Sequence, residues 1–361
     1  MAPDTETQLI EALAFIKTGF QGTGGGACPF YSDLADLFIE DVRRKGPVFH
    51  ALAPYADEGP DRVYVLRMLG ALHRMALAGE SPELSAHFPS TGGDADAAAT
   101  YTVIEALLAD PPPQVQHMFD RPPQTNEVGR SIALMTGLLV IADQLRMPLR
   151  LREIGASAGL NLRLDQYWYE HDGKGVGDPD SKVRFVDLWE GGTPPWDAPL
   201  EIADRRGCDR DPIDAIDPEG ALTLLSYVWP QPATRFELAK AAIEQAADMP
   251  VEIDKEDIAT WLPSQLEDQQ PGTAMVVMHS VVWQHLTDEV RESITEVMES
   301  AGAAATAESP LVWLSLEPNP ETFFPGELCV RFHSGSRESD ALLGETGFHG
   351  GPLRARFTAA R

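Results

Sequence analysis

The stretch LREIGASAGLNL, residues 151–162, places a short apolar run directly before two glycines and a turn of small residues. A strand that ends near Gly155 and continues as a helix near Gly159 leaves backbone N–H groups at the start of that helix. Such groups suit a phosphate, a ribose or a carboxylate. A tight strand-to-helix connection that binds nothing explains the same residues equally well.

The sequence after Pro148 alternates short apolar runs with helical patterns, which is typical of a parallel α/β sheet. This pattern predicts an α/β domain over 148–361 with an insertion near 164–199 that precedes the second sheet strand. Seven runs have the length and apolar content of strands: 149–155, 200–209, 249–257, 273–280, 311–318, 328–335 and 353–359.

The first part of the chain, residues 1–147, has apolar residues at three- and four-residue spacing and predicts a helical N-terminal or lid domain. Its last helix is predicted over 126–146, with Asn126 as the cap, Glu127 in the first turn and Pro148 after the end.

Composition and charge limit the classes of partner. The cysteines number three and are far apart, which excludes a disulfide framework and fits a reducing cytoplasm. No secretory signal is recognisable, and no apolar run reaches the ~18 residues of a membrane span. The net charge of −28 repels nucleic acid and anionic membranes. The acidic composition fits a salt-adapted source or an ordinary acidic bacterial protein.

The turn at 153–159 can be compared with two nucleotide-binding patterns. The dinucleotide pattern G-x-G-x-x-G, aligned on Gly155, has Ser157 and Leu160 at its other two glycine positions, so NAD or FAD is not expected. The pattern E-x-G-x-G-x-G is matched at Glu153, Gly155 and Gly159, with Ser157 in the place of the central glycine.

Three later stretches follow this turn in a consistent order: RRGCDRDPID (205–214), VEIDKEDIATWLP (251–263) and AMVVMHSVVWQHLTDE (274–289). Together with the turn they resemble the class I S-adenosylmethionine-dependent methyltransferases. The resemblance implies a methyltransferase-like (Rossmann-like), seven-stranded, mostly parallel sheet that binds S-adenosylmethionine. It implies cofactor contacts from Glu153, Gly155, Ser157, Gly159, Asn161, Asp209 (ribose), Asp257 and Ile258 (adenine).

Several segments between 115 and 290 also resemble a prokaryotic family known as a conserved domain of unknown function. The segments RPPQTNEVGRSIAL and LREIGASAGLNLRLDQYWY carry most of this resemblance. It implies a methyltransferase-like fold and no established reaction.

Other polar residues are candidates for a small-molecule site. His279 lies at the end of a predicted strand, where doubly wound folds place their ligands, and histidine is a base near pH 7. We expect catalytic roles for His279, Arg130 and Glu127, although Glu127 and Arg130 could instead pair on one helix face. We expect substrate contacts from Gln124, Asn126, Tyr31, Trp283 and His285. No pattern of metal ligands is found.

The sequence therefore predicts methyl transfer from S-adenosylmethionine to a small molecule. Two alternatives stay open. GASAG (155–159) also matches the G-x-S-x-G turn of serine hydrolases, although it follows the first predicted strand rather than several. A degenerate fold could bind a nucleotide-like ligand without catalysis.

Overall fold

A computed structural model describes residues 4–23, 26–58, 63–120, 123–334 and 337–356. The chain divides into two compact units. One comprises residues 1–125 and 217–240, and the other comprises residues 126–216 and 241–361. This division differs from the predicted boundary at 147, since 126–147 lies in the unit of the sheet and 217–240 in the unit of the helices.

The first unit is helical and is called the helical unit. Its described helices are α1 (Thr5–Thr18), α2 (Pro29–Arg43), α3 (Pro47–Leu52), α4 (Tyr64–Leu77), α5 (Pro82–Ser85), α6 (Ala97–Ala109), α7 (Pro113–Phe119), α9 (Pro218–Ser226) and the first part of α10 (Ala233–Gln245). Tyr227 explains why the 217–240 segment belongs here: its ring occupies the space that a Cβ at Gly70 would need. A close packing of this segment on α4 is possible only with glycine at that position.

The second unit is called the sheet unit, and its large sheet has nine strands among the described residues. The helices of this unit are α8 (Ser131–Leu145), α11 (Ile258–Leu266) and α12 (Asp288–Ala304), with the end of α10. The strands are β1 (Leu149–Ile154), β5 (Trp189–Glu190), β6 (Ile202–Asp209), β7 (Glu252–Lys255), β8 (Ala274–Ser280), β9 (Leu311–Pro318), β10 (Gly326–Ser334), β11 (Arg337–Thr346) and β12 (Leu353–Ala355).

The order across this sheet is β5-β12-β11-β10-β9-β8-β1-β6-β7. The strands β7, β6, β1, β8 and β9 are parallel to one another. Counted along the chain, these five have the order 3-2-1-4-5. This is the order of a doubly wound sheet, in which ligands bind at the carboxyl ends where the order reverses. The reversal lies between β1 and β8.

The predicted seven strands are all present in some form, but the prediction of seven strands in total is wrong. β10 and β11 form an antiparallel hairpin next to β9, and the short β5 pairs with β12 at the far edge. The sequence RESDALLGET of β11 was missed because it is mostly polar and lacks a regular alternation.

The insertion predicted near 164–199 forms a small second sheet. Its strands are β2 (Trp168–His171), β3 (Lys174–Gly177) and β4 (Arg184–Val186), in the order β3-β2-β4. This sheet separates β1 from β6 in the sequence, so the long spacing between Gly155 and Asp209 does not prevent the two strands from pairing.

Helices cover both faces of the large sheet. On one face, α11 and α12 pack against apolar side chains such as Ile154 and Val277. On the other face, α8 contacts β9 so closely that a Cβ at Gly137 would overlap Leu314. Both faces are thus buried, which explains why β8 is buried along its whole length and is apolar up to its last two residues, His279 and Ser280.

Among the described residues, one helical stretch, Val128–Leu145, is long and apolar enough to cross a membrane. The expectation that no such stretch exists is therefore wrong. However, 78% of this stretch is buried inside the protein. Its composition is explained by packing against the sheet, since a helix that is apolar on all sides belongs to a core as well as to a bilayer.

Candidate functional site

The turn after β1 has the backbone that its small residues allow. Gly155, Ser157 and Gly159 all adopt the left-handed conformation, with φ of 69°, 52° and 65°. Glycine does so without steric cost, whereas serine carries a Cβ that disfavours this conformation. The alternation of left-handed residues lets the chain reverse sharply at the carboxyl edge of the sheet. This segment, residues 155–159, is called the first turn.

The two glycines of the first turn are required by packing within the protein. A Cβ at Gly155 would lie 2.5 Å from Val282, and a Cβ at Gly159 would lie 2.8 Å from Val251 and 2.9 Å from Ile253. The glycines therefore bring the turn into close contact with the start of β7 and with the segment after β8. A ligand is not needed to explain them.

Asp209, at the end of β6, binds the first turn directly. Its Oδ2 accepts the backbone N–H of Ser157 at 2.9 Å, and its Oδ1 accepts the N–H of Asp211 at 3.0 Å. A carboxylate has about four acceptor sites on its two oxygens, so two protein donors leave capacity for further hydrogen bonds. Asp209 thus lies where the sequence predicted it, next to the turn.

Glu153 is the last acidic residue before the first turn and is buried, with 2% of its surface exposed. Its Oε2 has no hydrogen-bond partner. Burial raises the pKa of Glu153 to about 8, while Arg130 and Arg163 lower it and Asp209 raises it. Desolvation disfavours the carboxylate more strongly than these charges favour it, so Glu153 is protonated at neutral pH.

The two arginines near Glu153 direct their hydrogen bonds to backbone carbonyls. Arg130 donates to Ser280 O at 2.9 Å and to Phe348 O at 2.8 Å. Arg163 donates to Met249 O at 2.8 Å and to the carbonyls of residues 158 and 159. The two guanidinium groups create a positive potential at Glu153. Their described N–H donors hold the loops around the first turn in place.

A second turn, residues 281–283, follows β8 on the other side of the strand-order reversal. Val281 has φ 54°, which is strained for a β-branched residue. Glu317, at the end of β9, stabilises it: its Oε1 accepts the N–H of Val282 at 3.0 Å and its Oε2 accepts the N–H of Trp283 at 3.2 Å. In the second turn this carboxylate stabilises the left-handed backbone, which glycine makes possible in the first turn.

His279 also binds Glu317, with 2.6 Å between Nδ1 and Oε1. On the other side of the ring, Trp313 Nε1 donates to His279 Nε2 at 2.9 Å. Because the indole N–H can only donate, Nε2 is the acceptor and Nδ1 carries the proton. His279 is 2% exposed and both ring nitrogens are engaged. The predicted role as a catalytic base is therefore not supported, and His279 positions Glu317 instead.

Glu127 and Arg130 lie near the first turn, and their described hydrogen bonds and contacts go to other protein groups. Glu127 Oε1 accepts the N–H of Gly129, and Oε2 lies 3.5 Å from Nδ1 of His349. Together with the bonds of Arg130, these contacts hold the segment after β11 against the start of α8. Their described partners are protein groups, and ligand contacts by these residues remain predictions.

Asn126 and Asn161 connect the loop before α8 to the first turn. Asn126 Oδ1 accepts the N–H of Leu160 at 2.8 Å, so it caps the segment after the turn and not α8. Asn161 Oδ1 accepts the hydroxyl of Ser131 at 2.8 Å. The predicted cap of the 126–146 helix is wrong, because Glu127 caps a short 3₁₀ turn over Val128–Arg130 before α8 begins.

Asp257 and Ile258, predicted to contact adenine, follow β7 at the same edge of the sheet. Asp257 is the N-cap of α11 and accepts the N–H of Ala259 at 2.9 Å. Ile258 packs into the core between α11 and the sheet. Both positions are explained by the helix start, so the adenine contacts remain predictions.

The predicted substrate residues are spread over both units. Trp283 stacks on His279 with ring centroids 5.2 Å apart, and His285 is exposed next to it in sequence. Tyr31 and Gln124 belong to the helical unit. There Tyr31 is buried against aromatic rings, with its centroid 5.3 Å from that of Phe20. Trp283, His285 and Asn126 belong to the sheet unit, and the substrate contacts of all five residues remain predictions.

Sequence reasoning missed Glu317, Trp313 and His349. Glu317 is separated by 35 residues from the N–H of Val282 that it accepts. No short motif connects such residues, although an acidic residue at the end of a predicted strand was a usable signal. In the part of the chain that the structure describes, no group of three or more His, Cys, Asp or Glu side chains could hold a metal ion.

The strand order, the first turn and the acidic side chains at the carboxyl edge define the sheet unit as an α/β unit of the doubly wound class. The model of the family described as "Uncharacterized protein conserved in bacteria (DUF2332)" matches residues 20–354. The chain belongs to this family. Neither a search of curated proteins nor a search of solved structures found a protein similar to it.

Proposed function

We propose that this protein is an S-adenosylmethionine-dependent methyltransferase that acts on a small molecule. The observation that carries the proposal is Glu153, a buried carboxyl whose Oε2 has no partner, placed where the strand order reverses. Buried polar groups nearly always have partners, and an exception at a reversal point is a sign of a missing ligand.

The residues present fit the proposed cofactor. Glu153 has an acceptor left for the amino group of a methionine moiety. Asp209, one strand further, retains acceptor capacity for ribose hydroxyls beside the first turn. Ser157, in the place of the central glycine, adopts the left-handed backbone that glycine favours, which supports the proposal. Net charge argues against a polynucleotide substrate.

When bound, the cofactor supplies an electrophilic methyl group on its sulfonium, so the protein mainly has to position the acceptor. In this chain Asp209 and Glu153 hold the polar ends of the ligand. Glu317 and Arg130 keep the second turn and the segment after β11 in place around it. Trp283 offers an aromatic surface at the same edge.

Calorimetric titration tests this proposal. S-adenosylhomocysteine should bind with measurable heat, and NAD should not, because the dinucleotide glycines are absent. Asp209→Asn should weaken binding by about 1.5–3 kcal/mol, the size of a hydrogen bond to a charged group. Glu321→Gln, an exposed carboxylate in the loop after β9, is the matched control and should bind normally. Absence of heat with S-adenosylhomocysteine at millimolar concentration would favour a degenerate fold that lacks this ligand.

A serine hydrolase is the second candidate, since GASAG has the spacing of a nucleophile turn. It has less support because His279, the histidine at the neighbouring strand end, is engaged on both nitrogens by Glu317 and Trp313. Fluorophosphonate labelling separates the candidates: covalent modification of Ser157 in the native protein, lost in Ser157→Ala, would favour the hydrolase.

A further inference from the structure

The surroundings of Glu153 bear on how a ligand binds. Burial raises the pKa of its carboxyl, and Oε2 has no donor that would favour the carboxylate. Arg130 and Arg163 favour the carboxylate and Asp209 opposes it. Tyr167 also faces it, but its hydroxyl donates to Leu160 O at 2.7 Å.

The described bonds of both arginines show why they do not compensate for burial. The guanidinium groups donate to carbonyls of residues 280 and 348 and of residues 158, 159 and 249. Oε2 of Glu153 consequently receives no hydrogen bond. A hydrogen bond to the charged form is the interaction that would favour the carboxylate, and only an added group can provide it.

We infer that a ligand carrying an ammonium group binds at the first turn with its N–H groups on Glu153, and that binding releases one proton from this carboxyl. The inference rests on the proposed function for the identity of the ligand and adds its coupling to pH. The O–H bond of the Glu153 carboxyl breaks, the proton passes to the buffer, and the carboxylate accepts the ammonium. The Glu153 pKa of about 8 sets the pH range below which this coupling operates.

The test compares S-adenosylhomocysteine with methylthioadenosine, which has the same nucleoside and thioether but no amino acid group. Titrations at pH 7 are made in phosphate and in Tris, whose ionisation heats differ, so that proton release is read from the difference. S-adenosylhomocysteine should release about one proton per site and bind about tenfold more tightly at pH 7 than at pH 6. Methylthioadenosine should release none.

Glu153→Gln keeps the size of the side chain and has no proton to release. In this variant the heat of S-adenosylhomocysteine binding should no longer depend on the buffer, and the tenfold pH effect should disappear. Binding of S-adenosylhomocysteine to the wild type without proton release would overturn the inference and leave the proposed function intact. If neither nucleoside binds, the proposed function is wrong and the inference fails with it.

Discussion

The two turns at the strand-order reversal both contain left-handed backbone, but different groups stabilise it. The first turn, after β1, obtains its left-handed backbone from two glycines and a serine. The second turn, after β8, has a strained valine and obtains its shape from the carboxylate of Glu317. Each turn has a nearby glutamate, but both oxygens of Glu317 accept hydrogen bonds from the protein, whereas Glu153 keeps an oxygen without a partner.

This difference teaches that an acidic residue at a strand end can be a structural clamp or a group kept for a ligand. The hydrogen-bond partners distinguish the two cases. Glu317 accepts from His279 and from two backbone N–H groups, so its removal should damage the fold. Replacement of the Glu153 carboxyl by an amide should not damage the fold.

The largest expected effect is that of Glu317→Ala. The variant loses the carboxylate that accepts three hydrogen bonds, and the strain at Val281 remains. The free energy of unfolding should therefore fall by about 3–5 kcal/mol. Urea denaturation followed by tryptophan fluorescence measures this, since the rings of Trp283 and Trp313 contact each other beside Glu317. Glu321→Ala, on the exposed loop after β9, should change stability by less than about 0.5 kcal/mol. Equal effects of both variants would show that Glu317 is not a clamp.

Glu153→Gln should have the opposite sign and depend on pH. The folded-state pKa of about 8 lies above the usual 4.5. The folded protein therefore keeps a proton that the unfolded chain loses, and wild-type stability falls as pH rises from 4.5 to 8. The variant lacks this loss and should gain up to about 4 kcal/mol relative to wild type at pH 8 and little at pH 5. Denaturation curves at both pH values measure it, and a difference that does not change with pH would contradict the protonated state.

Gly155→Ala tests why the first turn needs glycine at this position. Either the left-handed backbone alone requires it, or close packing requires it as well. The new methyl group would meet Val282 in addition to the left-handed strain, so we expect a loss of about 3 kcal/mol. Gly173→Ala is the matched control, because Gly173 has φ 75° and nothing within 4 Å of a Cβ. It should lose only about 1 kcal/mol. Thermal denaturation of the two variants side by side gives the comparison, and equal losses would exclude a packing role.

The smallest expected effect is that of Ser157→Gly. Ser157→Gly and Ser157→Ala both remove the hydroxyl, so the difference between the two variants isolates the effect of the Cβ. The free energy of unfolding should be higher in the glycine variant than in the alanine variant by up to about 1 kcal/mol. A loss of stability in Ser157→Gly, seen by the same thermal denaturation, would indicate that the serine side chain is needed in the first turn.

Local patterns predicted the parts of the site that lie within a few residues of each other. The first turn could be predicted because left-handed glycines after an apolar run have a local signature. The approach of Asp209 to Ser157 could be predicted once 205–214 was taken as the end of the next strand. Glu317, Trp313 and the β10–β11 hairpin depend on contacts between distant segments. The mostly polar sequence of β11 carries no such signature.

The fate of His279 shows the same limit. A histidine at a strand end predicts a base, but its chemistry is decided by Trp313 and Glu317, which are 34 and 38 residues away. The division of the chain into compact units also depends on contacts between distant segments. The apolar pattern of α8 indicates a buried helix without indicating which part of the chain buries it.

A crystal structure of the protein with S-adenosylhomocysteine tests the central claim most directly. We expect the ligand at the carboxyl edge, with its amino group on Glu153 Oε2 and its ribose on Asp209, while Glu317 keeps its bonds to Val282 and Trp283. The account would be contradicted by a saturated crystal with no ligand at the first turn. It would equally be contradicted by a ligand at the opposite edge, where Arg150 and Asp268 pair at the amino ends of the strands.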